Sequence, residues 1–311
     1  YMLNFVYCLD KNYNKQSLCS IYSLLENVDE KIRVSLIHKN PESISGLVEK
    51  ISQHQNLSSL NIKKRIMKNT YYPKLSGAHV SEATYYRLNI EEYFLQEEII
   101  IYLDSDVIFI DNPINLFKKE IKNLINSKQI IAAKTEKSLI SHGKNILGMS
   151  SIKYFNAGVM VIDLKKWRGS DISEKLYSTL HKLGEDIVFW DQDVLNHYFD
   201  GSFEELDPKL NYQVEMSKNN IHKNDISSIV LLHYSGKFKP WSVMGATIQE
   251  AVFFQNLYRE LFDEKYFISY NYKVNALKDF IRVLLSFKIF RIKFKMSFIA
   301  IVLKSFFGGH D

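Results

Sequence analysis

The chain has only two cysteines in 311 residues, Cys8 and Cys19, and both fall in predicted regular elements near the amino end. A disulfide framework and a cysteine-built zinc site are therefore excluded, and a reducing cytoplasm is the expected compartment. Long apolar runs are missing too: the longest uncharged one, Met296 to Leu303, falls far short of the ~20 residues that a spanning helix needs. No charged-then-apolar leader precedes the first strand, so neither export by that route nor an integral membrane protein is expected. No Gly-x-Gly-x-x-Gly follows that strand and no Walker lysine loop occurs, which disfavours dinucleotide-binding dehydrogenases and P-loop NTPases. Charge of one sign is lacking everywhere but the tail. Of 40 Lys and Arg and 35 Asp and Glu, eight bases and one acid, Asp279, lie between Lys273 and Phe307, leaving 32 bases to 34 acids elsewhere. What remains is a globular chain, 46% hydrophobic, long enough for one large α/β domain or for a domain with an appendage.

The pattern is organised around Ile99-Ile100-Ile101-Tyr102-Leu103-Asp104-Ser105-Asp106-Val107-Ile108-Phe109. An apolar, β-branched run reads as a buried strand, and it ends in two carboxylates one residue apart. Two unpaired anions side by side in a core would cost several kcal/mol, so a positive group is expected between them. At the carboxyl end of a central parallel strand, where α/β sheets bind ligands, an Asp-x-Asp pair offers hard oxygen donors to Mg²⁺ or Mn²⁺. A solvated strand-to-loop turn is the alternative.

Before it, Leu3 to Asp10 reads as a first buried strand, followed by a polar turn and a helix from about Gln16 to Asn27. Asp10, Asn12 and Tyr13 then sit at that strand's end, where a carboxylate can bond a uracil or ribose and a ring can stack on a base; an Asx-type turn would use the same residues. A second strand, Ile32 to His38, and a helix after Pro41 continue an alternation that predicts a parallel, three-layer sheet. The loop Tyr71 to Ala78 leads into a helix, capped by Ser76 or Ser81, that carries His79, Thr84 and Arg87. Arg87 suits a carboxylate or a phosphate by its planar fork, or it is a surface arginine.

Beyond it, a short helix after Asp111-Asn112-Pro113 and a strand Gln129 to Ala133 precede Tyr154-Phe155-Asn156-Ala157-Gly158, a strand entry built of small residues that leaves room beside the backbone, or a glycine bulge. Asp191-Gln192-Asp193 clusters polar groups at a helix start, with Asp191 placed as an N-cap. Ile229 to Leu232 delivers His233, followed by Gly236, Lys237 and Lys239, a combination suited to a metal ligand with phosphate contacts. These segments are far apart in sequence, and adjacent strand ends would bring them to one ion. In the tail, Leu277, Phe280, Ile281, Leu284 and Leu285 recur at helical spacing opposite Lys278 and Arg282, while Ile289 to Lys295 fits helix or strand. Basic residues mixed with Phe, Leu and Ile suit an anionic membrane surface, or a helix packed on the domain with a solvated basic face. No nucleic-acid recognition motif accompanies them.

At Tyr102 to Asp106, Tyr154 to Gly158 with Lys165-Lys166-Trp167, Asp191 to Asn196, and His233 to Trp241, the chain resembles the bacterial family-8 glycosyltransferases. These are retaining, metal-dependent enzymes that include lipopolysaccharide α-galactosyl- and α-glucosyltransferases, and the resemblance spans about residues 3 to 250. It implies a GT-A fold, a three-layer α/β/α arrangement with a mainly parallel central sheet, over a catalytic domain 1–265, with 266–311 as a helical membrane-association segment. It implies Asp104, Asp106 and His233 as ligands of Mn²⁺ or Mg²⁺ and Asp10, Asn12 and Tyr13 as uridine contacts, with Ser105 also on the nucleotide-binding side. His79, Gly236 and Lys239 match positions that hold the diphosphate, and Arg87, Asn156, Asp191 and Gln192 match positions around the donor sugar. Lys237-Phe238 replaces the family's usual Pro-containing pair, which alters the phosphate loop.

The implied reaction moves glucose or galactose from a UDP-hexose to an oligosaccharide or glycolipid acceptor, a lipopolysaccharide core or another surface, capsule or glycoprotein glycan. The implied place is the cytoplasmic face of the inner membrane. Gln192, expected beneath the anomeric carbon, is a poor nucleophile, which favours front-face substitution over a covalent intermediate on Asp193. A metal-dependent nucleotidyltransferase or phosphate-ester hydrolase, and a non-catalytic sugar-binding protein, are the rival classes.

Overall fold

Alternate residues of the first strand face two different cores: Phe5, Tyr7 and Leu9 pack into one apolar cluster, Val6 and Cys8 into another. A strand buried on both faces must lie inside a sheet covered on both sides, which is the three-layer arrangement expected from the sequence. The structure is a computed structural model that describes residues 2–66, 72, 81–214, 228–237, 239–269 and 273–307.

The chain runs β1 (Asn4–Leu9), α1 (Asn14–Asn27), β2 (Ile32–His38), α2 (Glu49–Ser52), β3 (Leu57–Lys64), a 3-10 segment Glu82–Tyr93, β4 (Ile99–Leu103), β5 (Val107–Phe109), α3 (Ile114–Asn126), β6 (Ile131–Thr135) and α4 (Ile140–Asn145). It continues through β7 (Phe155–Asp163), α5 (Leu164–Gly169), α6 (Ile172–Leu183), α7 (Trp190–Phe199), β8 (Glu204–Glu205), β9 (Tyr212–Gln213), β10 (Leu231–His233), α8 (Ala251–Phe262), α9 (Lys273–Leu285) and α10 (Lys295–Phe307).

The main sheet has the order β3-β2-β1-β4-β7-β6-β8. It is mostly parallel, as expected, but β7 runs antiparallel to both β4 and β6. That reversal carries function. The entry of β7, not its exit, lies beside the carboxyl end of β4, with Leu103 opposite Val159 and the Asp104 N–H donating to Gly158 O at 2.8 Å. A second, three-stranded sheet β5-β10-β9 begins immediately after Asp106, and antiparallel pairing sets His233 opposite Val107. A one-residue slip there would turn His233 away from the carboxylates.

Several local expectations change. The segment that carries Arg87 is a 3-10 stretch with a kink at Asn89. The region after Pro41 is a 3-10 turn, Pro41–Ser43, and then the short α2. Strand β3 has no counterpart in the sequence reading, because its largely half-exposed edge carries little apolar signal. His79, the candidate cap Ser76 and Phe238 lie outside the described residues.

The tail is helical. Between α9 and α10 the ambiguous stretch is a 3-10 turn, Lys288–Arg291, leading into α10. Ala276, Phe280, Val283, Ile289, Ile292, Phe298 and Val302 form a small core of their own with Val243, Ala246, Tyr266 and Ile268. Among the described residues no helix is long and apolar enough to cross a membrane.

Candidate active site

Asp104 and Asp106 leave β4 in a two-carboxylate turn, and β10 brings His233 against them. Each of the three offers one ligand atom, and these atoms lie within 4.8 Å of one another. The Asp106 Oδ1 is buried with no hydrogen-bond partner, and His233 Nε2 stands 3.4 Å from it. An orphaned carboxylate oxygen facing an imidazole and a second carboxylate fits a hard divalent cation such as Mn²⁺ or Mg²⁺.

The rest of the cluster is held by named bonds. The His233 Nδ1 sits 2.9 Å from Asn211 Oδ1, and an amide oxygen only accepts, so Nδ1 carries a proton and Nε2 is the nitrogen turned to the carboxylates. Asn211 Nδ2 in turn donates to Asn156 Oδ1, which also accepts from Gly158 N–H. A Cβ at position 158 would lie 2.8 Å from His233 Nε2 and 2.9 Å from Asp104 Oδ2. Only glycine lets β7 pass this close to the ligand cluster.

Lys239 pairs with Asp106 and donates to Tyr234 O at 2.8 Å. Burial works to raise the Asp106 carboxyl, but Lys239 and His233 outweigh it and hold the group well below the usual carboxylate range. Arg87, 4% exposed, donates to Asp104 Oδ1 at 3.1 Å, faces Asp191 Oδ2 at 2.6 Å, donates to Ala157 O, and lies 4.2 Å over the Tyr102 ring. It is no surface arginine. Burial would lower its guanidinium, yet the two carboxylates raise it further. Asp191 is the opposite case: burial lifts it to about 6 against the pull of Arg87 and the Thr84 hydroxyl.

These side chains line a cavity of about 590 Å³, within the range of small-ligand sites. Of the residues expected there, Tyr13, Arg87, Asp104, Ser105, Asp106, Asn156, Asp191, Gln192, His233, Gly236 and Lys239 line it. Asp10 and Asn12 do not. Between the lining residues Leu9 and Tyr13, the Asp10 carboxylate accepts from Asn12 N–H at 2.8 Å, which is the Asx-type turn. Gly236 has φ +75°, which favours glycine at the turn before Lys237. Gln192 Oε1 accepts from Ala157 N–H at 2.9 Å, so this amide is fixed at the cavity wall.

One expectation at α7 is corrected. Asp191 is not the N-cap: that position is Phe189, without a side-chain cap bond. The reach-back comes from Asp193, whose Oδ2 accepts from Val188 and Phe189 N–H at 2.8 and 2.7 Å. Asp193 is fully buried, also accepts from Tyr154 Oη at 2.6 Å and meets His142 Nε2 at 2.9 Å, and stays out of the cavity lining. A carboxylate with four partners, outside the cavity lining, holds the helix start.

Sequence reasoning missed Asn211, which sits in a stretch without periodicity, and the rim formed by Val188, Phe189 and Trp190. The positive φ of Trp190, +49°, is a backbone feature that side-chain pattern does not announce.

The sequence profile of Glycosyl transferase family 8 matches residues 4–245, which takes in every group above except the tail. The chain is 25% identical over 262 residues to General stress protein A of Bacillus subtilis, covering 78% of this chain and 88% of that protein. It is 26% identical over 268 residues to a lipopolysaccharide 1,2-glucosyltransferase of Escherichia coli, with coverage of 80% and 76%. A lipopolysaccharide 1,3-galactosyltransferase of Salmonella typhimurium is 29% identical over 178 residues, about half of each chain. Among solved structures, the galactosyltransferase LgtC in complex with donor and acceptor sugar analogs superposes with a TM-score of 0.69 at 23% identity, covering 84% of this chain and 96% of that one, so the fold is GT-A. On the extent of the profile match, the chain belongs to glycosyltransferase family 8.

Proposed function

We propose that the chain transfers a hexose, glucose or galactose, from a UDP-sugar to a hydroxyl of a bacterial surface glycan, with retention at the anomeric carbon. The observation that carries this is the Asp104, Asp106 and His233 cluster in one cavity with Lys239, Arg87, Asp191 and Gln192. A divalent cation held by the three ligands would act as a Lewis acid that neutralises charge on the leaving diphosphate. Lys239 and the Gly236 turn hold phosphate oxygens, and Tyr13 faces the uracil. Asp191, oriented by Arg87 and Thr84, accepts from sugar hydroxyls. Gln192 presents an amide and no nucleophile, and Asp193 lies outside the cavity lining. The reaction is therefore front-face: the bond from C1 to the diphosphate oxygen breaks, the acceptor oxygen bonds C1 on the same face, and the acceptor proton passes to the departing diphosphate. Val188, Phe189 and Trp190 form a partly apolar rim on which an acceptor sugar stacks.

The tail is the membrane-facing part in this reading. Phe280 turns into the small core, but Leu277, Ile281, Leu284, Leu285, Phe287 and Phe290 stay exposed among Lys278, Arg282 and Lys288. Basic groups beside exposed Phe and Leu suit the anionic, cytoplasmic face of the inner membrane and a lipid-linked acceptor such as a lipopolysaccharide core. Kinship with lipopolysaccharide glycosyltransferases supports the acceptor class and a UDP-hexose donor over the nucleotidyltransferase alternative.

The test is UDP release from a panel of UDP-sugars with Mn²⁺ or Mg²⁺, with and without chelator. Chelator-sensitive hydrolysis of one UDP-hexose is the expected outcome and identifies the donor. No release from any of them, together with no calorimetric binding of UDP and metal, would overturn the reading.

A further inference from the structure

A second cavity, of about 420 Å³, opens between α8, the 3-10 turn Gly245–Thr247 and the link from α9 to α10. Arg259 from α8 and Arg291 and Lys293 from the link line it, with Gln249 and Thr247, and no carboxylate does among the described residues. Arg259 has only neutral acceptors, Lys265 O at 3.3 Å and Asn256 Oδ1, and its guanidinium lies 4.8 Å over the Phe294 ring. Burial holds it below its ordinary pKa, with Tyr266 opposing. By contrast Arg87 and Arg65 are each paired with a carboxylate.

We infer that this cavity binds a phosphate ester, with the Arg259 and Arg291 guanidinium groups and the Lys293 ammonium on its oxygens. Two guanidinium forks and an ammonium lining one cavity, with no carboxylate in that lining among the described residues, suit a tetrahedral anion. The rim adds an apolar side. Val252, 40% exposed, lines it together with Ile248. A phosphate carried by an amphiphile fits both, so the ester comes from a lipid headgroup or from a soluble phosphorylated compound. The membrane reading bears on the source alone; the site stands without it.

A hydrogen bond ties the cavity to the candidate active site's phosphate loop. Gln255, which lines it, donates to Pro240 O at 3.0 Å, and the Ser242 N–H donates to Lys239 O at 2.8 Å. The two sites are nonetheless lined by different residues.

The test compares the full chain with Arg259→Gln/Arg291→Gln/Lys293→Gln, with the double Arg291→Gln/Lys293→Gln, whose two positions are exposed and safe for folding, and with the charge-matched Lys278→Gln/Arg282→Gln/Lys288→Gln. Calorimetry with sn-glycerol 3-phosphate, in the presence of UDP and Mn²⁺, reads one saturable site; omitting UDP and Mn²⁺ checks that the result does not depend on the proposed donor site. The expected result is binding weakened about tenfold or more in both cavity variants and unchanged within about twofold in the matched control. Competition by phosphatidylglycerol vesicles, and none by phosphatidylcholine vesicles, assigns the ester to a lipid; binding of the soluble ester without such competition assigns it to a soluble compound. Equal loss in cavity and control variants would show diffuse attraction and overturn the site, as would the absence of saturable binding in the wild-type chain.

Discussion

Arg87 and Arg291 are the same side chain in opposite circumstances. Arg87 is buried, faces two carboxylates, donates to a backbone carbonyl and covers an aromatic ring, so its position is determined from every side. Arg291 is exposed, on a turn, and lines a cavity with two other cations and, among the described residues, no carboxylate. The pattern extends to whole regions. Around Asp104 and Asp106 each buried charge meets an opposite charge or a hydrogen-bond partner, which sets the geometry before any ligand arrives. Along the tail, cations and large apolar side chains are left facing outward. One region fixes its charges against one another; the other leaves most of its cations toward solvent, with Arg282 paired to Asp279.

The sharpest way to break the first half is Asp106→Asn. Asp106→Ala would leave the buried Lys239 ammonium without a counter-charge, at a cost to folding of about 3–5 kcal/mol, and would mix loss of stability with loss of function. The amide also removes the counter-charge, but it keeps the shape and an acceptor oxygen for the Lys239 ammonium, so less stability is lost while the anionic ligand is removed. Metal-dependent UDP release is expected to fall by about 10³-fold with the circular-dichroism spectrum preserved. A rate within a few-fold of wild type, with the same metal dependence, would detach the carboxylate pair from the reaction.

Gly158→Ala attacks the same site without touching a ligand. Its Cβ would press on His233 and Asp104, and β7 is pinned on both sides, so the ligands must move. Mn²⁺ affinity measured by electron paramagnetic resonance is expected to drop by about 100-fold. Unchanged affinity would mean that the cluster tolerates this approach. Next in size is Asn211→Ala, which frees His233 to rotate or change tautomer and is expected to weaken the metal by about 10-fold or more. Asn211→Asp keeps an acceptor for Nδ1–H and should restore much of that loss; equal loss in both variants would show that the amide acts through Asn156 instead.

How much of this could be read beforehand follows the same division. Asp104, Asp106 and His233 were legible because an apolar run ending abruptly in a polar group is a local signal, and α/β alternation puts such ends at one edge. Gly158 and Asn156 were legible as a gap in side-chain volume, though not the reason for it, since the reversal of β7 is a property of sheet topology. Asp191 and Asp193 were separable only in space: one residue apart on α7, one faces the cavity with Arg87 and the other is tied down by Tyr154 and two backbone N–H groups. Asp10, assigned to a ligand, also closes a turn through Asn12 N–H, and a carboxylate at a strand end can serve either purpose, so the residue pattern does not separate the two. Asn211 left no trace, because a residue that acts through another needs no periodicity of its own.

Asp191 gives a pH test in which activity and stability move in opposite directions. Its folded pKa, about 6, stands above the ordinary 3.8, so the folded chain holds this proton more tightly than the unfolded one. The stability it contributes is fully present below 3.8 and is lost as pH rises through about 6. If the Asp191 carboxylate orients the donor sugar, as proposed, UDP release should fall about tenfold per pH unit below about 6. Asp191→Asn should lower the plateau and abolish that limb; a limb that persists in the variant belongs to another group.

The mildest expected effect lies on the other side of the comparison, and it separates the two regions most cleanly. Leu285 and Phe290 are 76% and 67% exposed, lie outside the cavity linings, and pack into no core. Substituting serine at each removes apolar area without disturbing the interior. If the tail buries these side chains in a bilayer, each is worth about 1.5–3 kcal/mol when fully buried, and less at an interface, so partition onto phosphatidylglycerol vesicles should weaken several-fold per residue. UDP release from the soluble donor should stay at the wild-type rate, because the cluster around Asp104 owes nothing to these positions. Loss of donor hydrolysis in step with vesicle binding would mean that the tail is part of the catalytic architecture. Vesicle binding that ignores both substitutions and follows ionic strength alone would reduce its role to electrostatics, with the cations acting at a distance of about one Debye length and the apolar face idle.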